Sequence, residues 1–91
     1  MEPSVIRYET ELKSLIQRYL NNEVSFDEVA IWVEHHELGW EAFEVGSAAE
    51  KLALMVMGTH WEKQDGLHTD ASIHERIAED FAEIVGSRAL P

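Results

Sequence analysis

The sequence predicts an all-α fold, a compact four-helix bundle-like single domain with an apolar central third helix. Three observations carry that reading. Apolar residues recur at three- and four-residue spacing over most of the chain. Capping residues stand immediately before several of these periodic segments. No stretch alternates apolar and polar residues as a half-buried strand would. Ninety-one residues suit one domain, residues 1–91, since single domains run from about 50 to 250 residues.

The elements follow in order. The first helix is expected over residues 3–21. Pro3 suits a first helical turn, and Val5, Tyr8, Leu12, Leu15, Ile16 and Tyr19 form one stripe. Asn21-Asn22 supplies the stop, because asparagine tolerates the left-handed conformation that ends helices. The second helix is expected over 25–38. Ser25-Phe26-Asp27-Glu28 is a capping box, and Val24 with Val29 forms a hydrophobic staple around it. Its core face is Phe26, Val29, Ala30 and Val33, continuing toward His36, and Gly39 ends it. Trp40 to Gly46 is short enough to be either a helical turn or a loop.

Ser47-Ala48-Ala49-Glu50 is a second capping box and opens the third helix, 47–63. From Lys51 to Trp61 this helix is apolar almost all round, which places it at the centre of the bundle. Gly58 within it predicts close approach of a neighbouring helix. A polar connection containing Gly66 leads to Asp70, read as the cap of the last helix, 70–86. Ile73, Ile77, Phe81, Ile84 and Val85 line its inner face, and residues 87–91 form a tail.

Composition narrows the function classes. The chain holds no cysteine, which removes thiolate metal sites and disulfides and suits a reducing cytoplasm. Met1 to Ser14 has no apolar run behind a basic stretch, so no leader is expected. Nor is there a run of about 18 apolar residues to span a membrane. The formal net charge of −11 repels nucleic acid and anionic lipid and attracts basic surfaces.

The histidines, His35, His36, His60, His68 and His74, do not show metal-ligand spacing. Zinc needs three or four converging ligands, and helical pairs stand three or four residues apart. Adjacent His35 and His36 diverge, and His68 and His74 straddle a helix start. No metal or other cofactor is expected, and each histidine reads as a hydrogen-bonded core or surface residue. Ser14, Ser47 and Ser72 lack the glycines of a nucleophile elbow. The glycines are too scattered for a phosphate loop. The sequence therefore predicts no enzyme.

Charge distribution is more informative. Between Tyr19 and Glu50 there is no lysine or arginine, while Glu23, Asp27, Glu28, Glu34, Glu37, Glu41, Glu44 and Glu50 are all acidic. Such one-sign clustering steers a basic partner. Trp32 falls off the core stripe of its helix, and an exposed tryptophan among polar groups is typical of an interface anchor. The expected partner-binding set is Asp27, Glu28, Trp32, Glu34, Glu37, Trp40, Glu41 and Glu44. The plainer alternative is a solvated acidic face with Trp32 packed under a loop.

An apolar first helix followed by Glu23-Val24-Ser25-Phe26-Asp27-Glu28 and a Trp32-bearing helix resembles a group of short acidic bacterial proteins of unassigned function. Length, acidity and helical order are also similar to the colicin D immunity protein family. The likeness covers roughly Leu12 to Val85 and rests on caps and apolar spacing. It implies a small bundle that binds the basic catalytic domain of a transfer-RNA-cleaving toxin and masks its active site. No toxin-contact residue is carried over from it. The expectation is thus an acidic protein-binding module of immunity or inhibitor type. The alternative is a self-associating structural domain whose apolar third helix completes its burial in a homodimer.

Overall fold

The computed structural model describes residues 3–35 and 46–86. Among them are four helices and no strand: α1 (Pro3–Leu20), α2 (Phe26–His35), α3 (Ala48–Gln64) and α4 (Asp70–Gly86). The expected end of α2 at 36–38 with His36 and Gly39, the 40–45 stretch and the 87–91 tail lie outside the described residues. So does the side chain of Val5.

The ends of α1 and α3 and the starts of α2, α3 and α4 each have a hydrogen-bond cause. Asn22 takes a left-handed φ of 63°. Its amide donates to the Tyr19 carbonyl at 2.9 Å, and the Glu23 amide donates to the Arg18 carbonyl at 2.8 Å. This paired closure is a Schellman motif, which occupies carbonyls the helix leaves over. The end of α3 repeats it. Gly66 has φ 77°, and Gly66 and Leu67 donate to the carbonyls of Lys63 and Glu62, both at 3.0 Å.

The starts are equally specific. Ser25 Oγ accepts from the Glu28 amide at 3.2 Å, and Ser47 Oγ accepts from the Glu50 amide at 3.3 Å. In the second box the reciprocal arm lands one residue early, with the Gly46 amide donating to Glu50 Oε1 at 2.9 Å. The cap of α4 is Thr69, not Asp70. Thr69 Oγ1 accepts from the Ser72 amide at 3.1 Å, and the Thr69 amide donates to Ser72 Oγ at 2.9 Å. A serine stands here where the capping box usually has glutamate, which hid the motif from the sequence pattern. Asp70 is the first helical residue, where its charge complements the helix dipole.

On α1, α2 and α4 the buried apolar residues are ones the periodicity picked out. Tyr8, Leu12, Ile16 and Tyr19 come from α1, and Phe26, Val29, Ala30 and Val33 from α2. Ala49, Leu52, Ala53, Val56 and Met57 come from α3, and Ile73 and Ile77 from α4. Phe81 and Ile84 are only half-buried against this core, so the inner stripe of α4 opens toward its C-terminal end. α3 packs against all three other helices, as its central place requires.

Two expectations for α3 need correction. It is not covered on every side, because Leu54 and Trp61 are 51% and 56% exposed. Nor does another helix of the described residues approach Gly58, since a Cβ built there meets nothing within 4 Å. Among the described residues α1, α2 and α4 pack against α3 and leave the face of Leu54 and Trp61 open. No helix among the described residues is long and apolar enough to cross a membrane.

Candidate interaction face

With Phe26, Val29, Ala30 and Val33 turned inward, helical periodicity turns the intervening positions of α2 outward. Asp27, Glu28, Ile31, Glu34 and His35 are all exposed. The structure thus brings Asp27, Glu28 and Glu34 of the expected set onto one helix surface. Glu37, Trp40, Glu41 and Glu44 lie outside the described residues.

Two of these three carboxylates, Asp27 and Glu34, have a basic side chain beside them. Asp27 Oδ1 accepts from Lys63 Nζ of α3 at 2.9 Å, and that ammonium also stands 5.9 Å from the centre of the Phe26 ring. Glu34 Oε1 lies 3.8 Å from His60 Nε2. Asp27 remains 63% exposed in its side chain, so the Lys63 pair is a surface pair that contributes little stability. It still places a positive charge inside a field that looked wholly negative along the sequence.

Trp32 departs from expectation. It is half-buried and packs against the core, with its ring 5.1 Å from Tyr8 at a tilt of 40°. It sits on the flank of α2 that meets α1, away from the Asp27–Glu34 flank that meets α3. Tilted aromatic packing of this kind stabilises the fold, so Trp32 joins helices and is not an exposed anchor.

The acidic surface continues around the end of the bundle. There the C-terminal turn of α1, the starts of α2 and α4 and the end of α3 enclose a cleft of about 550 Å³. Tyr19, Phe26 and Ile73 supply its apolar lining, and Glu23, Asp27, Glu28 and Asp70 its carboxylates, with Lys63 among them. Burial holds the Tyr19 hydroxyl above the usual phenol range, and the negative charge of Asp70 adds to the effect. An anionic wall beside an apolar floor suits an extended cationic side chain such as lysine or arginine, whose methylenes need burial and whose head needs a carboxylate.

Lys63, Asp70 and Tyr19 were not legible as members of this site. The Lys63–Asp27 pair joins residues 36 apart in sequence, and no local pattern announces such a contact.

His68 and His74 hold helices together through hydrogen bonds, whereas the buried Nδ1 of His60 has no hydrogen-bond partner among the described residues. His74 Nε2 donates to the Leu20 carbonyl at 3.2 Å, and its ring lies 5.3 Å from Tyr19. His68 lies 3.2 Å from Ser72 Oγ through Nδ1 and 3.2 Å from Glu62 Oε1 through Nε2. Serine, histidine and glutamate in that order have the outline of a proton relay. The Ser72 hydroxyl, however, donates to the Thr69 carbonyl at 3.0 Å and accepts from the Thr69 amide. Its oxygen is occupied by the helix cap, and the trio ties the end of α3 to the start of α4. No cluster of three or more His, Cys, Asp or Glu among the described residues could hold a metal ion.

No family model matches the chain, and no curated protein or solved structure does either.

Proposed function

We propose that this chain is a non-enzymatic, acidic protein-binding module of immunity or inhibitor type, acting in the cytoplasm by occluding a basic, nuclease-like partner. The observation that carries the reading is the outward face of α2. It presents Asp27, Glu28 and Glu34 together, with no lysine or arginine anywhere between Tyr19 and Glu50. The cleft beside it adds Glu23 and Asp70.

The mechanism is competition. A nuclease groove is lined with cations that hold phosphates, and carboxylates displayed on a rigid helix offer the same sign of charge. The long-range field from a net charge of −11 speeds encounter, and close pairing then fixes the register. The apolar floor of the cleft accepts the stem of a partner lysine or arginine. The acidic run continues in sequence through Glu37, Glu41 and Glu44 with Trp40 among them, which would extend the same contact.

Calorimetric titration against purified basic nuclease domains at low salt tests the reading. The expected result is a one-to-one complex that weakens steeply as salt rises. The double variant Glu28→Lys with Glu34→Lys should bind at least about tenfold more weakly while remaining folded, because both side chains are exposed. Absence of binding to every basic domain tried, or binding indifferent to salt, would sink the proposal.

A further inference from the structure

A different surface carries a second interaction. On α3, Lys51, Leu54, Met55, Gly58, Trp61, Glu62 and Asp65 follow one another at three- and four-residue steps and so share one face. The inward positions Ala49, Leu52, Ala53, Val56 and Met57 occupy the opposite side. Lys51 and Asp65 are exposed, Leu54 and Trp61 are more than half exposed, and among the described residues nothing stands within 4 Å of a Cβ built at Gly58. Large apolar side chains around an uncovered glycine are an unusual outer face for a charged protein.

The arrangement of this face selects its occupant. Lys51 and Asp65 lie two turns on either side of Gly58. A second α3 laid antiparallel across Gly58, on a two-fold axis through that residue, puts Lys51 of each copy opposite Asp65 of the other. It also puts each Trp61 over the other copy's Leu54 and Met55. Those two residues, with Ile84, floor a groove of about 390 Å³ rimmed by Lys51, Asp80 and Glu83. A parallel pairing would instead set Lys51 against Lys51 and Asp65 against Asp65. The face is therefore self-complementary in one register only, as a two-fold interface must be.

We infer that the chain forms a homodimer through the Lys51–Asp65 face of α3, crossing antiparallel at Gly58, with Trp61 of each copy seated in the other's α3–α4 groove. Gly58 lets the two backbones approach, a role that nothing among the described residues gives it within the single chain. The surface is separate from the acidic face of α2, so the two bindings can fail independently.

Sedimentation equilibrium of the full chain, from low to high micromolar, tests this together with three sets of variants. The dimer should tighten as salt is added, since each copy carries a net charge of −11 that salt screens. That response is opposite in sign to the weakening expected for a basic partner. Trp61→Glu should raise the dissociation constant at least about tenfold, as loss of a central aromatic anchor does. Lys51→Glu should weaken the dimer, and adding Asp65→Lys should restore it. The chain has no cysteine, so Gly58→Cys should give a disulfide-linked dimer under mild oxidation, whereas Ser14→Cys on α1 should not. A monomer at every concentration overturns the inference, as does a dimer that tolerates Trp61→Glu or leaves Gly58→Cys unlinked. A monomer that uses this face to hold a peptide or a lipid vesicle overturns it equally.

Discussion

The outer face of α2 carries Asp27, Glu28 and Glu34 around Ile31, whereas the outer face of α3 carries Leu54, Gly58 and Trp61 between Lys51 and Asp65. Both are helix surfaces that no other helix among the described residues covers. They differ in what the fold supplies to them. Lys63 reaches from α3 to Asp27, so the acidic face is partly neutralised from within, and His60 of the same helix stands 3.8 Å from Glu34. At Gly58 the fold supplies nothing within 4 Å of the missing Cβ. A charged face can rest in water at little cost, and its partner adds affinity through electrostatics. An apolar face gains by being covered. Rising salt should therefore loosen whatever binds α2 and tighten whatever binds α3.

The tryptophans of the two helices give the largest contrast. Trp32→Ala removes a half-buried ring packed on Tyr8 and should cost about 2 kcal/mol of stability, below the 3–5 typical of a fully buried aromatic. Trp61→Ala removes a ring that is 56% exposed and should change the stability of the dilute monomer by less than about 0.5 kcal/mol. Urea unfolding followed by helicity measures both. Similar losses in the two variants would show that Trp61 is held within its own chain and would break the distinction between the faces.

The difference in legibility between the two faces is itself physical. Burial of the α2 stripe followed from helical periodicity, because Phe26, Val29, Ala30 and Val33 repeat on one side. Trp32 was misplaced for a related reason. Periodicity separates inside from outside along a helix, but it does not say that α1 lies close enough on the flank for Tyr8 to reach the ring. On α3 the apolar residues run round the whole helix, so its residues carry no period to tell which side is open. The Lys63–Asp27 pair and the cleft come from helix ends brought together by packing. The Thr69 cap was missed because Ser72 replaces the acidic residue usual at that place. The Schellman turn at Asn22, in contrast, was announced by residue type alone.

Gly58→Ala sharpens the comparison on the α3 side. Gly58 lies inside α3, and the space its Cβ would fill is open. Alanine there should raise the stability of the dilute chain by about 0.5–1 kcal/mol, through greater helix propensity and a less flexible unfolded state. Measured at concentrations where the chain self-associates, the gain should shrink or reverse, because the added methyl separates the crossing helices. A gain that stays constant with concentration would leave the glycine with no role at an interface.

The smallest expected effect lies at the acidic end, where Tyr19 meets the cleft. Its phenol is raised above the ordinary value of 10.0, first by burial and then by the Asp70 carboxylate. Below pH 10 the folded and unfolded chains both keep the proton, and the stability this group contributes is complete. As pH rises past 10 the unfolded chain releases its proton first, so stability falls until the higher folded value has been passed. The difference in unfolding free energy between the parent chain and Tyr19→Phe, followed across that range, isolates the group from lysines that titrate nearby. The parent should lose stability faster than the phenylalanine variant. Asp70→Asn should reduce the slope only in part, because burial is the larger cause. Parallel curves for all three chains would mean that water reaches the hydroxyl freely and that the floor of the cleft is wetter than its lining of Phe26 and Ile73 implies.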